Sequence, residues 1–415
     1  MNKQSKLFGF LTFILLSFLG FGFYQTYAGD GRTDVAIITD EGDISHFDHV
    51  EFIGNVYSTS TYRNLNTFIH SSGHMRSLSD LSFLKQMDFE YNATANRVVE
   101  NHRSFMRGKS RNSALLTETD EHLIYTGMAH DVDWTQYDAN NLTVAVLDKE
   151  SEEEKEFEVD LNNQTGETHS VNVVTSYVNY PELTIITSEH ISGDYMDNYF
   201  VYTFNIEEPV ETLEPILNLT AELDASESIL NISSSASDTG RYIPIYMRDQ
   251  PDLEYYDGGY TETEIPSGEH YVYDIQTNEV IDIPAFEDSQ TIVLAEEDTV
   301  YVGKNLGDTI EIHEMHIETQ ELDRIGSLEM ATPRIGRGDL YHHDPNSTNL
   351  HIIDGKLYAY ENDYSNEVSR PLFQVIDLET QETLFTGFID VKDSQDVRNY
   401  ELLLNNYSIM NYQNE

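Results

Sequence analysis

The chain has 415 residues, with 74 Asp and Glu against 23 Lys and Arg, a formal net charge of −51 and no cysteine. This charge argues against a nucleic-acid-binding protein, because phosphates require a basic surface, and against docking on anionic lipid. The absence of cysteine excludes disulfides, thiolate nucleophiles and cysteine-ligated metal centres. Hydrophobic residues make up 39% of the sequence, which predicts a folded chain with a substantial core.

The N-terminal segment has the pattern of an export signal. Lys3 and Lys6 precede an uncharged, mostly apolar run over residues 7–24, and a small-x-small cleavage pattern ends at Ala28. A run of this length can also span a bilayer as a helix, with the two lysines holding the N-terminus in the cytoplasm. We therefore predict a signal peptide or signal anchor over residues 1–28. Both alternatives place a single domain, residues 33–415, outside the cytoplasm, either secreted or attached to the cell membrane through residues 7–24 only.

Short runs rich in β-formers, separated by polar turns, follow this segment. Residues 35–39 and 50–57 are predicted strands, residues 66–80 a loop, and residues 81–89 a strand that returns at Val98 and Val99. Helix signals are weak, and residues 78–87 are the best candidate for one short helix. Three further segments, 114–125, 291–303 and 350–360, read as tight hairpins.

One hairpin pattern occurs repeatedly. Residues 273–280, 315–322 and 375–384 each alternate apolar and polar positions, turn at Thr-(Gln/Asn)-Glu, and alternate again. Weaker copies lie near Asp88, Asp160 and Asn205. A hairpin repeated along an all-β chain favours a β-propeller. We expect six to seven four-stranded blades, seven being preferred, with residues 401–404 and 408–410 pairing with the first strands to close the ring.

These turns resemble the outer hairpins of YVTN-type and quinoprotein-like propeller repeats. In those proteins a strand that ends in Asp-(Leu/Ile)-x-Thr turns at a small polar pair, as in residues 274–279 and 377–382 here. The resemblance implies the propeller architecture and no particular function, because propellers have many functions.

Two kinds of candidate site stand out against the acidic background. Cations cluster within fifteen residues of the sequence: Arg97, Arg103, Arg107, Lys109 and Arg111. They either form ion pairs with acids of neighbouring blades, which is the simpler expectation, or bind an anion or partner through the fork of the guanidinium group. Oxygen-rich loops suggest a metal site, with calcium as the one cofactor indicated, although an Asx-type turn explains the same residues; the candidates are His342, His343, Asp344, Asp252 and Asp257.

The pair His313 and His316 does not have the spacing of a zinc protease motif, and on a strand the two side chains point to opposite faces. Motifs for a nucleophilic serine, a phosphate-binding loop or a dinucleotide fold are also absent from the sequence. The sequence therefore favours a monomeric, non-catalytic propeller that binds an extracellular ligand or protein partner. The alternative is a secreted glycan hydrolase with paired carboxylates in the central channel.

Overall fold

The chain folds almost entirely as antiparallel β-sheet. The computed structural model describes residues 34–48, 50–58, 64–71, 73–82, 86, 89, 93–128, 141–161, 169–191, 197–232, 240–249, 253–256, 259–262, 268–286, 290–306, 309–329, 349–363, 370–392 and 400–409. Among these residues, α1 (Ala93–Asn101) and α2 (Leu219–Glu222) are α-helices. No helix among these residues has both the length and the apolar composition needed to cross a membrane.

The strands follow the chain in short steps. They are β1 (Val35–Gly42), β2 (Val50–Ser58), β3 (Asn64–Ser71), β4 (His74–Ser77), β5 (Leu116–Glu118), β6 (His122–Met128), β7 (Asn141–Asp148), β8 (Glu154–Leu161), β9 (His169–Asn179), β10 (Glu182–Ile191), β11 (Asp197–Asn205), β12 (Thr212–Leu213), β13 (Leu217–Asn218), β14 (Ser228–Ile232), β15 (Tyr242–Asp249), β16 (Leu253–Tyr256), β17 (Gly259–Glu262), β18 (Gly268–Asp274), β19 (Glu279–Ile283), β20 (Gln290–Glu296), β21 (Thr299–Asn305), β22 (Thr309–His316), β23 (Glu321–Glu329), β24 (Asn349–Ile353), β25 (Lys356–Asp363), β26 (Arg370–Asp377), β27 (Thr383–Val391) and β28 (Tyr400–Ile409).

Within the described residues, these strands form six sheets of four or five strands and one two-stranded hairpin, β16-β17. In strand order, sheet 1 is β28-β2-β3-β4, sheet 2 is β5-β6-β7-β8-β12, sheet 3 is β9-β10-β11-β13, sheet 4 is β14-β15-β18-β19, sheet 5 is β20-β21-β22-β23 and sheet 6 is β24-β25-β26-β27-β1. Most pairings join strands that are successive in the chain, so the central strands of each sheet follow a meander. This is the blade pattern of a propeller.

Apolar clusters join the sheets into a ring. Sheets 2 and 3, 3 and 4, 4 and 5, 5 and 6, and 6 and 1 each share a buried cluster of side chains. Sheets 1 and 2 are joined instead through α1, where buried Ala95 and Val98 pack on Leu123 of β6. The order of neighbours thus returns to its starting sheet, as a propeller requires.

Both ends of the chain close the ring. β28 pairs with β2 in sheet 1, which confirms the expected pairing of the last strand with an N-terminal one. β1 instead pairs with β27 and adds a fifth strand to sheet 6. At the junction of these two sheets, Phe52 and Phe373 stack with ring centroids 5.5 Å apart. Closure therefore depends on contacts between residues more than 300 positions apart, as the numbering of this pair shows.

The repeated turn has the same backbone geometry in its three clear copies. Asn278, Gln320 and Gln381 all adopt a left-handed conformation, with φ of 59°, 56° and 58°. Each donates its N–H to the carbonyl four residues earlier, at 2.9, 2.7 and 2.8 Å. The Asp of the first copy, Asp274, accepts two bonds from Arg241, so its carboxylate has a structural partner. Thr-(Gln/Asn)-Glu is therefore a turn signal in this chain and not a catalytic motif.

We expect Gln381→Gly to raise the free energy of unfolding by about 1 kcal/mol, because a side chain in the left-handed region costs energy that glycine avoids. Chemical denaturation measures the change. Glu379→Gly, in the same turn but without a positive φ, is the matched control and should give no gain. Equal effects of the two changes would contradict this account of the turn.

Several local predictions were wrong. Where a loop was expected, residues 66–71 lie in β3 and residues 74–77 form β4, and Val98 and Val99 lie in α1 and not in a returning strand. Within residues 78–87, where one short helix was expected, Leu78–Asp80 form a 3₁₀ turn and Gln86 is helical, with its N–H donating to the Ser82 carbonyl at 2.9 Å; residues 83–85 and 87 lie outside the described residues. A copy of the repeated turn was expected near Asp160, but this residue lies on β8. The turn between β7 and β8 precedes that strand. The hairpins predicted over residues 114–125, 291–303 and 350–360 are confirmed.

Candidate anion-binding site

Residues 97–111, which we call the basic segment, run from α1 through a series of tight turns to sheet 2. Met106 N–H donates to the His102 carbonyl at 3.1 Å, and Lys109 N–H donates to the Met106 carbonyl at 3.2 Å. Phe105 and Met106 are buried in the cluster on sheet 2, with 1% and 5% of their surface exposed. Two apolar anchors therefore fix a segment whose other residues are mostly polar.

Arg97 connects sheets 1 and 2 through its guanidinium group. Its Nη1 lies 2.7 Å from Glu118 Oε2 on β5, and its Nε lies 3.6 Å from Glu51 Oε2 on β2. Glu51 is 1% exposed, so this ion pair lies in a region from which water is largely excluded. Lys149 Nζ lies 2.7 Å from Glu118 Oε1 and completes the network.

These charges fix the protonation of the network. Burial acts to raise the pKa of Glu118, but Arg97 and Lys149 outweigh it and hold that pKa below its ordinary value. Burial lowers the pKa of the neighbouring His102, whose imidazole is therefore neutral near pH 7. Glu118 is thus an ionised partner of two cations, and it is not suited to act as a general acid.

Lys109 is also used inside the protein. Its Nζ lies 2.9 Å from Glu154 Oε1 and 3.1 Å from Glu156 Oε2 on β8. It donates to the Phe105 carbonyl at 2.8 Å and lies 4.4 Å from the centroid of that ring. These contacts hold the end of the basic segment against the outer strand of sheet 2.

Arg103 and Arg107 differ from these two cations. Both side chains are exposed, and neither forms an ion pair with another residue in the described part of the chain. They lie four residues apart in consecutive turns, on either side of the Phe105 and Met106 anchors, a spacing at which side chains in helical turns are neighbours. Arg111 is half-buried and has interactions of its own. The structure thus divides the predicted cluster into internal and outward-facing cations.

The predicted metal residues are not tested. His342, His343, Asp344, Asp252 and Asp257 all lie outside the described residues. Within the described ranges, no group of three or more His, Asp or Glu side chains is arranged to hold a metal ion. Of the histidines in the 313–316 pair, His316 lies 3.0 Å from Asp323 and is half exposed, whereas the His313 side chain is 14% exposed.

Sequence reasoning missed one buried acid. Glu189, on β10 between sheets 2 and 3, is 1% exposed, and its only hydrogen bond with a described residue is a long one of 3.5 Å from Tyr202 Oη. Burial raises the pKa of Glu189. Nothing in the local pattern distinguishes it from the other acids, since its burial results from packing against the neighbouring sheet.

Comparisons with known proteins do not assign a family. No family model matches the chain, and no curated protein matches it. Similar solved structures include an oligogalacturonate lyase in complex with manganese (9% identity, TM-score 0.38, covering 77% of this chain and 69% of that one). TolB from Acinetobacter baumannii is another (10% identity, TM-score 0.32, covering 85% and 66%). An acylaminoacyl peptidase from Pyrococcus horikoshii is a third (11% identity, TM-score 0.35, covering 66% and 39%).

Proposed function

We propose that this chain is an exported, non-catalytic binding module that recognises an anionic group through Arg103 and Arg107. The observation that supports this most directly is the division within the basic segment. Arg97 and Lys109 are held by buried or strand-borne acids, whereas Arg103 and Arg107 project outward from a segment anchored by Phe105 and Met106. Arg103 and Arg107 thus have no acidic partner among the described residues, although the chain has a net charge of −51. Both are available to bind an external anion.

The chemistry of the two side chains indicates the class of ligand. A guanidinium group donates two parallel hydrogen bonds to a carboxylate or a phosphate, and two such groups can bind neighbouring acidic groups of one ligand. The net charge repels long polyanions, whereas charges farther than about 8 Å are screened at physiological salt. The proposed ligand is therefore short, or presents its acidic groups locally, as an acidic peptide segment of an extracellular partner does.

The proposal is tested by titrating the full chain with a short glutamate peptide in a calorimeter. The double variant Arg103→Ala/Arg107→Ala should lose binding by at least tenfold while its melting temperature stays unchanged, because neither side chain has an ion-pair partner in the described fold. Arg76→Ala is the matched control: this arginine is exposed, lies 3.9 Å from Glu100, and should bind as the wild type does. Unchanged affinity in the double variant contradicts the proposal.

The alternative, a glycan hydrolase, requires two carboxylates that both reach a substrate. Glu51 and Glu118 share Arg97, and Asp274 is bound by Arg241. Glu189 has the raised pKa of a general acid but is enclosed between two sheets. The buried acids among the described residues are thus either paired with an arginine or enclosed between two sheets. We therefore favour binding over catalysis.

We further propose six blades, the lower of the two numbers expected from the sequence. The strands reserved for a seventh blade, β1, β2 and β28, are used in sheets 6 and 1. Residues 1–28, proposed as the signal or anchor, lie outside the described residues. Sequencing the mature N-terminus distinguishes the two: a new N-terminus at Gly29 means cleavage, and Met1 means an anchor.

A further inference from the structure

A second polar cluster lies at the junction of sheets 4 and 5, far along the ring from the basic segment. His313 on β22 is opposite Val302 on β21 and Arg324 on β23. On the same face, Glu311 is opposite Lys304. The Phe286 ring, from the segment that joins the two sheets, lies 5.5 Å from the His313 ring. Apolar residues of both sheets, including Val272 and Val302, form the buried cluster on which Phe286 packs.

His313 is unusual because both of its ring nitrogens are shielded from solvent and unpaired. Neither Nδ1 nor Nε2 has a hydrogen-bond partner in the part of the chain that the structure describes. The nearest acid, Glu311, lies 3.9 Å from Nε2, beyond hydrogen-bond range, and is 3.3 Å from Arg324 Nε. A buried polar group without a partner is rare in native proteins and often marks a position filled by water, an ion or a ligand.

The charges around the imidazole decide which kind of ligand fits. Lys304 and Arg324 contribute two cations against the one carboxylate of Glu311. The Lys304 ammonium lies 5.2 Å from the Phe286 centroid and forms no ion pair with a described carboxylate, so it is free to turn toward a ligand. Burial and both cations disfavour a metal ion or a protonated imidazole here. A neutral imidazole can still donate one hydrogen bond to an anion.

We propose that His313, Lys304 and Arg324 form a small-anion site at the junction of sheets 4 and 5, which accepts a carboxylate or phosphate group. His313 donates a hydrogen bond to one oxygen of the anion, and Lys304 swings from the Phe286 ring to pair with it. Arg324 exchanges part of its contact with Glu311 for the ligand. This site is independent of Arg103 and Arg107, and either proposal can fail without the other.

The test follows the His313 imidazole by NMR while the full chain is titrated with inorganic phosphate and, separately, with acetate. The His313 signal is assigned as the one that disappears in His313→Phe. We expect a saturable shift of this signal with at least one anion, together with a rise in melting temperature. Burial lowers the pKa of His313, and a bound anion should raise it again. Acetate and phosphate as separate arms distinguish the two ligand chemistries.

Three variants make the outcome decisive. His313→Phe and Lys304→Met should each abolish the rise in melting temperature that the anion causes. If His313→Phe fails to fold, Lys304→Met still tests the site. His316→Phe, on the opposite face of β22, should retain the response, and so should Arg103→Ala/Arg107→Ala. If neither anion moves the His313 signal, the nitrogens hold internal water only and the proposal is wrong. Equal shifts at His313 and His316 would indicate a general salt effect and would also overturn it.

Discussion

Arg97→Ala is expected to lower the free energy of unfolding by about 3–5 kcal/mol, because it removes the cation that two carboxylates share at a buried junction. Glu51 is 1% exposed and Arg97 is 13% exposed, so water can replace little of the lost interaction. The change also removes the ion pair between α1 and Glu51 of sheet 1. Chemical denaturation of the full chain measures the loss.

Two comparisons separate a buried-charge effect from a general loss of packing. Arg76→Ala removes a pair that is 3.9 Å long and about two-fifths exposed, and it should cost less than about 1 kcal/mol. Adding Glu51→Gln to Arg97→Ala should recover part of the loss, since a neutral amide needs no cation. If the two single arginine variants are equally stable, the network does not hold the junction.

The effect of Arg97 should also depend on pH. The pKa of Glu118 is lowered in the folded chain from an ordinary value of 4.5, since the two cations outweigh the effect of burial. A carboxylate with a lowered pKa stabilises the fold above its unfolded pKa and loses that contribution as pH falls through the folded pKa. The stability difference between wild type and Arg97→Ala should therefore shrink as the pH falls below the ordinary carboxyl pKa of 4.5.

Phe373→Ala should cost a similar amount, about 3–5 kcal/mol, through loss of apolar burial at the closure of the ring. Phe373 is fully buried, and its ring lies 4.6 Å from Phe47, 5.5 Å from Phe52 and 5.4 Å from Tyr360. The first two partners come from the N-terminal part of the chain, so the cavity would weaken the contact between the two ends.

Thermal and chemical denaturation measure this effect. Phe157→Ala, a partly buried phenylalanine that packs on the cluster between sheets 2 and 3, should cost clearly less because solvent already reaches part of its ring. Phe373→Leu keeps most of the volume and should cost less than about 1.5 kcal/mol. A loss for Phe373→Ala no greater than that for Phe157→Ala would mean that the aromatic cluster is not central to closure.

The sequence could predict the hairpins because their signals are local. Thr-Asn-Glu at residues 277–279 combines alternating strands with a residue that tolerates a left-handed backbone, and Asp354-Gly355 does the same. The helix α1 was missed because Val98 and Val99 favour a strand, and nine residues are too few to show a helical period. Tertiary contacts with sheets 1 and 2 decide its conformation.

The candidate site was predictable only in part. The cluster of five cations within residues 97–111 can be recognised from the sequence alone, because the rest of the chain is acidic. The partners of Arg97 and Lys109, however, are distant along the chain. Lys109 donates a hydrogen bond to Glu154, 45 positions away, and Arg97 forms an ion pair with Glu51 of the preceding sheet. Local pattern therefore could not show that Arg97 and Lys109 are held internally while Arg103 and Arg107 face outward. Burial of His313 and Glu189 likewise results from packing between neighbouring sheets.

The most direct test of the binding proposal observes the guanidinium groups themselves. In NMR spectra of the Arg Nε–Hε groups, assigned with single Arg→Lys variants, addition of a short glutamate peptide should shift the signals of Arg103 and Arg107. The signal of Arg97, which is held between Glu51 and Glu118, should stay in place. The account is contradicted if the Arg103 and Arg107 signals do not move, or if all arginine signals move equally.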